Sequence, residues 1–142
     1  MVLFTHLWKT DVYKRQLYSF VDSNDVTSVT KSACDASDVL YIPTDNTAAS
    51  NTEAINNVAQ PAGVPVVAGE EGICAGCGVA TLSISYYDLG VATGKMAVRI
   101  LQDGEDISAM PVEYAPQFTK KYNPTLAEAL NITIPEGYEA IG

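Results

Sequence analysis

The chain has 142 residues with 17 acidic and 8 basic side chains, a formal charge of -9. That balance excludes a nucleic-acid or anionic-membrane surface, because no basic patch is present to displace counterions from phosphates. Its hydrophobic fraction of 47% excludes global disorder, the length allows one domain or half of a two-lobed protein, and no run of about 18 apolar residues exists to span a bilayer.

Met1–Gln16 differs in texture from everything after it. The only histidine, His6, and the only tryptophan, Trp8, both fall there, with Lys9, Lys14 and Arg15. Asp11-Val-Tyr-Lys-Arg-Gln16 back-translates to GAT GTG TAT AAG AGA CAG, which resembles the transposase mosaic end used to prepare sequencing libraries. Met1–Trp8 also lacks the basic start and apolar stretch of a signal peptide. Residues 1–16 are therefore read as a non-native leader, the alternative being an ordinary polar N-terminal segment. The remainder holds 5 basic and 16 acidic residues and no histidine. Ser–His or Cys–His catalysis and His-ligated metal sites then lack a residue to use.

From Leu17 onward, short apolar runs alternate with helix-period stretches. Leu17–Val21 is β-prone. Ser23 and Asn24 offer cap oxygens to a helix with Val26, Val29 and Ala33 on one face. Val39–Ile42 reads as a buried strand closed by Pro43. Thr47–Gln60 predicts one helix with Ala48, Ile55, Val58 and Ala59 inward, ended by Pro61 and Gly63. Val64–Ala68 is a strand, Gly69–Gly78 a glycine-rich loop, and Val79–Ser85 a further strand. Leu89, Ala92, Thr93, Met96, Ala97 and Ile100 recur at helical spacing, stopped at Asp103–Gly104. Ile107–Pro116 reads as extended, Asn123–Leu130 as a capped helix, and Ile132–Ile141 as an extended tail. Such alternation predicts an α/β fold with a mostly parallel sheet.

Ligands of open α/β sheets bind beyond the carboxyl ends of the strands, where three loops fall here. Thr44, Asp45 and Asn46 follow the second strand; simple helix capping explains them equally well. Glu70 and Glu71 follow the third and read equally as surface glutamates. Ser85 and Tyr86 follow the fourth, where Tyr86 or Tyr87 can stack on a ligand or pack in the core. Together they suit a small ligand with a cationic amine. Phosphate is disfavoured, since neither GxxxxGK[ST] nor GxGxxG occurs.

Cys74 and Cys77 form Cys-Ala-Gly-Cys within the glycine-rich loop. They read as a local disulfide or as free thiols, with pairing that stiffens the loop near a ligand, or redox chemistry, as further readings. A zinc site lacks ligands, and Cys34 reads as a small buried hydrophobe at the end of its helix.

Tyr41-Ile-Pro-Thr-Asp-Asn-Thr-Ala-Ala-Ser50, Val64-Pro-Val-Val-Ala-Gly-Glu-Glu-Gly72, Ala80-Thr-Leu-Ser-Ile-Ser-Tyr-Tyr-Asp-Leu-Gly90 and Thr93-Gly-Lys-Met-Ala97 together resemble one family. It is the tryptophan/tyrosine-type branch of ABC-importer substrate-binding proteins, which have the type I periplasmic-binding-protein fold. The resemblance covers Leu17–Gly142. It implies a truncated, three-layer lobe at residues 17–106, with 107–142 as hinge crossover and a segment returning toward a second lobe. The part near Ile107–Tyr114 would serve the hinge. It also implies an extracytoplasmic, non-enzymatic protein without cofactor or metal. That protein would bind a small ligand, an amino acid, and deliver it to an ABC permease. Membrane attachment would be through a lipid anchor on a preceding segment. Asp45 is the implied first ligand contact, because sugar-binding relatives of the fold place an acid at that strand end. Thr44, Asn46, Glu70, Glu71, Ser85 and Tyr86 follow. Two other classes remain open: the effector-binding half of a transcription regulator, and an acid/base enzyme using Glu70 and Glu71.

Overall fold

The computed structural model describes residues 2–6, 14–115 and 117–142, with side chains from residue 16 onward. Trp8, Lys9 and residues 11–13 of the adapter-like hexapeptide lie outside the described residues, as does Pro116. Two compact units emerge. The first comprises residues 1–83 and 120–142, the second residues 84–119.

The described strands form one sheet in the order β2-β1-β3-β4-β5-β6-β7. They are β1 (Val2–His6), β2 (Lys14–Tyr18), β3 (Leu40–Ile42), β4 (Val66–Ala68), β5 (Ala80–Ile84), β6 (Phe118–Tyr122) and β7 (Glu139–Ala140). β3 runs parallel to β4 with Leu40 opposite Val66, and β4 parallel to β5 with Ala68 opposite Thr81. This is the expected α/β arrangement, mostly parallel between its helices. The first strand differs from expectation. It lies at Lys14–Tyr18 rather than Leu17–Val21, paired antiparallel with β1, which also meets β3 through Leu3 opposite Tyr41. Part of the segment set apart as a leader is thus hydrogen-bonded to the sheet, since an open edge offers N–H and C=O groups to any extended neighbour.

Helix α1 (Val26–Cys34) starts after Asp25, not at Ser23 or Asn24. The Asp25 carboxylate is turned back to the preceding turn, accepting from Val21 N and Asp22 N. The helix buries Val26, Thr30, Ala33 and, as expected, Cys34. The single helix expected over Thr47–Gln60 is two, α2 (Asn46–Ala49) and α3 (Thr52–Ala59). The break falls at Asn51, whose side-chain amide donates to Thr47 O at 2.7 Å. That local bond competes with the helical ladder. Ile55 and Ala59 face inward as expected, with Val58 packed partly buried against them.

The glycine-rich loop expected at Gly69–Gly78 is instead helix α4 (Glu71–Cys77). Two glycines do not break it, because a cap stabilises its start and Gly76 serves packing. A Cβ there would lie 2.3 Å from Thr52 Oγ1, so only glycine lets α3 and α4 approach this closely. Leu40, Ile42, Ile55, Val66, Ile73 and Cys74 fill the core between sheet and helices. Behind β6, helix α6 (Pro124–Ala129) begins at Asn123, whose side chain accepts from Leu126 N, and buries Leu126 and Ala127. The structure thus carries the chain after β6 into the first unit.

The second unit contains α5 (Tyr86–Leu101), with the expected helical register but no fully buried residue. Arg99 joins Glu105 and Glu113 in ion pairs that tie the helix to the segment after it. Where Ile107–Pro116 was expected to be extended, Ile107–Ala109 forms one 3-10 turn capped by Asp106. Ser108 donates to that carboxylate and holds it below the ordinary carboxylate range.

Candidate ligand-binding site

The carboxyl ends of β3 and β4 lie side by side, and a glycine decides how closely. Gly69 N donates to Ile42 O at 2.7 Å, continuing the ladder one residue past β4. A Cβ on Gly69 would sit 2.6 Å from Thr44 N and 2.9 Å from two Pro43 backbone atoms. These are backbone contacts that cannot swing aside. Gly69 therefore brings the Asp45 and Glu70 loops together.

Asp45 is the cap of α2, in extended conformation, with Oδ1 accepting from Ala48 N at 2.9 Å. Among the described residues no hydrogen bond reaches its Oδ2. The residue is half-buried, while Thr44 and Asn46 on either side are exposed. Capping and ligand contact, posed as alternatives from sequence, are compatible, because a carboxylate has two oxygens and the cap occupies one.

Glu70 and Glu71 behave differently. Glu70 caps α4 with both oxygens: Oε2 accepts from Gly72 N at 2.7 Å, and Oε1 accepts from Ile73 N. Its side chain is thereby folded onto the helix start. Glu71 points instead to β6, where Lys121 Nζ donates to its Oε2 at 2.7 Å. Neither Lys121 nor this pairing was legible from sequence, since fifty positions separate the partners. Where the sequence left ligand contact and ordinary surface glutamates as alternatives, Glu70 serves as a cap and Glu71 as an ion-pair partner.

Ser85 and Tyr86 belong to the second unit. Ser85 Oγ accepts from Asp88 N at 3.1 Å and caps α5, and Tyr86 opens that helix with its side chain exposed. Tyr87 is more exposed still, so neither tyrosine packs in a core.

The cysteines are not bridged. Cys74 and Cys77 are free, buried thiols on the inner face of α4, donating to Gly78 O and Ile73 O. Burial pushes both thiols up to about 12, with nearby Glu70 adding to the effect. They are too weakly acidic for redox chemistry near neutral pH. Asn123 reinforces this helix from behind, its amide donating to Ala75 O at 3.0 Å and to Cys74 O. Among the described residues, no three His, Cys, Asp or Glu side chains come together as a metal site. A cavity of about 400 Å³ is lined by Asn56, Gln60, Gly76, Asn123 and Thr125 among others. It lies toward the C-terminal ends of α3 and α4, away from Asp45, and takes no part in this site.

The comparisons with known proteins point the same way. The ABC transporter substrate binding protein family matches residues 12–140. A tyrosine-binding protein from Clostridioides difficile (strain R20291) is 32% identical over 107 residues, covering 72% of this chain and 31% of that protein. Among solved structures, an ABC domain in complex with L-Trp from Streptococcus pneumoniae matches 89% of this chain and 45% of its own, at 29% identity and TM-score 0.76. The ligand-free, open structure of a substrate binding protein with adhesive properties from Clostridium difficile is 35% identical. It covers 86% of this chain and 42% of its own, with TM-score 0.68. The chain thus spans less than half the length of these relatives. With its mostly parallel sheet and a family match over residues 12–140, the chain belongs to the ABC transporter substrate-binding protein family, a family of binding proteins rather than enzymes.

Proposed function

We infer that this chain forms the carboxyl-end half of the pocket of an extracytoplasmic solute-binding component of an ABC importer. In this reading it binds an amino acid, aromatic ones first, in a cleft between lobes and delivers it to a membrane permease. Attachment to the membrane is by a lipid anchor, and among the described residues no helix is long and apolar enough to cross a bilayer. The observation that carries the reading is Asp45: half-buried, one oxygen held by the α2 cap, the other without a hydrogen bond among the described residues. A ligand ammonium would take that oxygen in a charge-assisted hydrogen bond, strengthened when closure excludes water. Thr44 and Asn46 flank it, and donors on the other lobe hold the ligand carboxylate. The names of the relatives, one tyrosine-binding and one solved with L-Trp, support the choice of ligand class. Isothermal titration against a panel of amino acids and sugars tests it. Saturable binding of L-tyrosine or L-tryptophan by the full-length parent, without turnover, is expected; binding of a sugar alone sinks the ligand assignment.

The same account keeps residues 1–16 as translated adapter. Resequencing the source DNA without transposase-made libraries is expected to replace the codons for Asp11–Gln16. Their recovery unchanged would refute it.

A further inference from the structure

We propose that Lys121 sets the charge specificity of the site by withdrawing Glu71 from it. Three carboxylates stand at the ends of β3 and β4, and their surroundings divide them. Glu70 is occupied on both oxygens by the start of α4. Glu71 follows directly, two residues beyond the Gly69–Thr44 approach, and is drawn sideways to Lys121 on β6 at 2.7 Å. The Lys121 side chain is 26% exposed and that of Glu71 41%, so the pair is partly shielded and its geometry is held by strand and helix rather than by two free side chains. Asn123, two residues on, donates to the Cys74 and Ala75 carbonyls, which fixes the end of β6 against α4. Of the three, Asp45 alone is neither capped on both oxygens nor ion-paired among the described residues; Glu71 keeps its Oε1 without a hydrogen bond, but its charge is offset by Lys121. A site with one available carboxylate takes one ammonium, as in a zwitterionic amino acid with an uncharged side chain. A second available carboxylate would suit a second cation, so Lys121 disfavours basic amino acids and diamines.

The inference rests on the amino-acid reading given under Proposed function, and the experiment separates the two. L-tryptophan and L-lysine are titrated into the full-length, two-lobed parent protein and into its Lys121→Met, Lys121→Gln, Lys121→Arg and Glu71→Gln/Lys121→Met variants. The readout is the ratio of the L-lysine to the L-tryptophan dissociation constant. In Lys121→Met and Lys121→Gln the ratio should fall by about two- to fivefold, the scale of freeing one partly exposed charge. It should return toward the original value in the double variant and stay there in Lys121→Arg. L-tryptophan binding with an unchanged ratio in both neutral variants overturns the role of Lys121 and leaves the amino-acid reading standing. Failure of the unsubstituted protein to bind either amino acid overturns both.

Discussion

Gly69→Ala is the sharpest test of how the two strand ends meet. The added methyl would lie 2.6 Å from Thr44 N and 2.9 Å from the Pro43 Cα and carbonyl carbon. Those atoms belong to the backbone that leads out of β3, so relief requires the Asp45 loop and the Glu70 loop to part. Overpacking of this kind costs about 1–3 kcal/mol. Gly69 is not in the left-handed region, so the cost is purely steric. Gly90→Ala supplies the contrast: a Cβ in α5 meets nothing within 4 Å, and alanine in a helix gains about 0.5–1 kcal/mol over glycine. Urea denaturation followed by circular dichroism reads both, with the m-value checking that two-state behaviour is kept. Gly69→Ala should lower the midpoint and also weaken amino-acid binding, because Asp45 is displaced. A Gly69→Ala protein as stable as the original would refute the close approach on which the site is built.

Thr81 is 2% exposed, and its Oγ1 has no hydrogen-bond partner among the described residues. Thr81→Val should therefore stabilise the chain, by up to about 1–2 kcal/mol, since an orphaned hydroxyl leaves the interior; a lower thermal midpoint would show that the hydroxyl is satisfied. Cys74 and Cys77 should resist iodoacetamide at pH 8 in the folded protein and react on unfolding, as read by mass spectrometry; rapid native labelling would contradict their burial. Their thiols titrate near 12 when folded against 9.0 as the reference. Between those values the unfolded chain has released protons that the folded chain retains. Their contribution to stability is present below pH 9 and lost as pH rises toward 12, by about 1.4 kcal/mol per pH unit per thiol. A Cys74→Ala/Cys77→Ala variant with an unaltered alkaline slope would remove this assignment.

The elements that the sequence announced were those whose pattern is local. Leu40–Ile42 and Val66–Ala68 stand out as short apolar runs closed by turn residues, and the Asn123-Pro124 cap marks α6 one residue ahead of its start. The α4 helix was hidden because Gly72 and Gly76 read as loop; what makes them helical is the Glu70 cap and the space that Gly76 leaves for Thr52. The break at Asn51 turned on a side-chain bond to Thr47 that no periodicity reports. For the site, Asp45 was legible as an acid at a strand end. The separate fates of Glu70 and Glu71 were not, because they depend on a lysine fifty positions away and on which way two adjacent side chains turn.

The central claim is that the Asp45 carboxylate has two duties, one oxygen for α2 and one for a ligand cation. Isothermal titration of L-tryptophan into the Asp45→Asn and Asp45→Ala variants of the full-length parent measures it most directly. Asparagine keeps an oxygen to accept from Ala48 N, so the asparagine variant should fold with the original stability. Loss of the charge should nevertheless weaken binding by about 1–3 kcal/mol, roughly five- to 150-fold. Alanine should lose the cap as well and show both defects. An Asp45→Asn protein that binds L-tryptophan as tightly as the original would contradict the account.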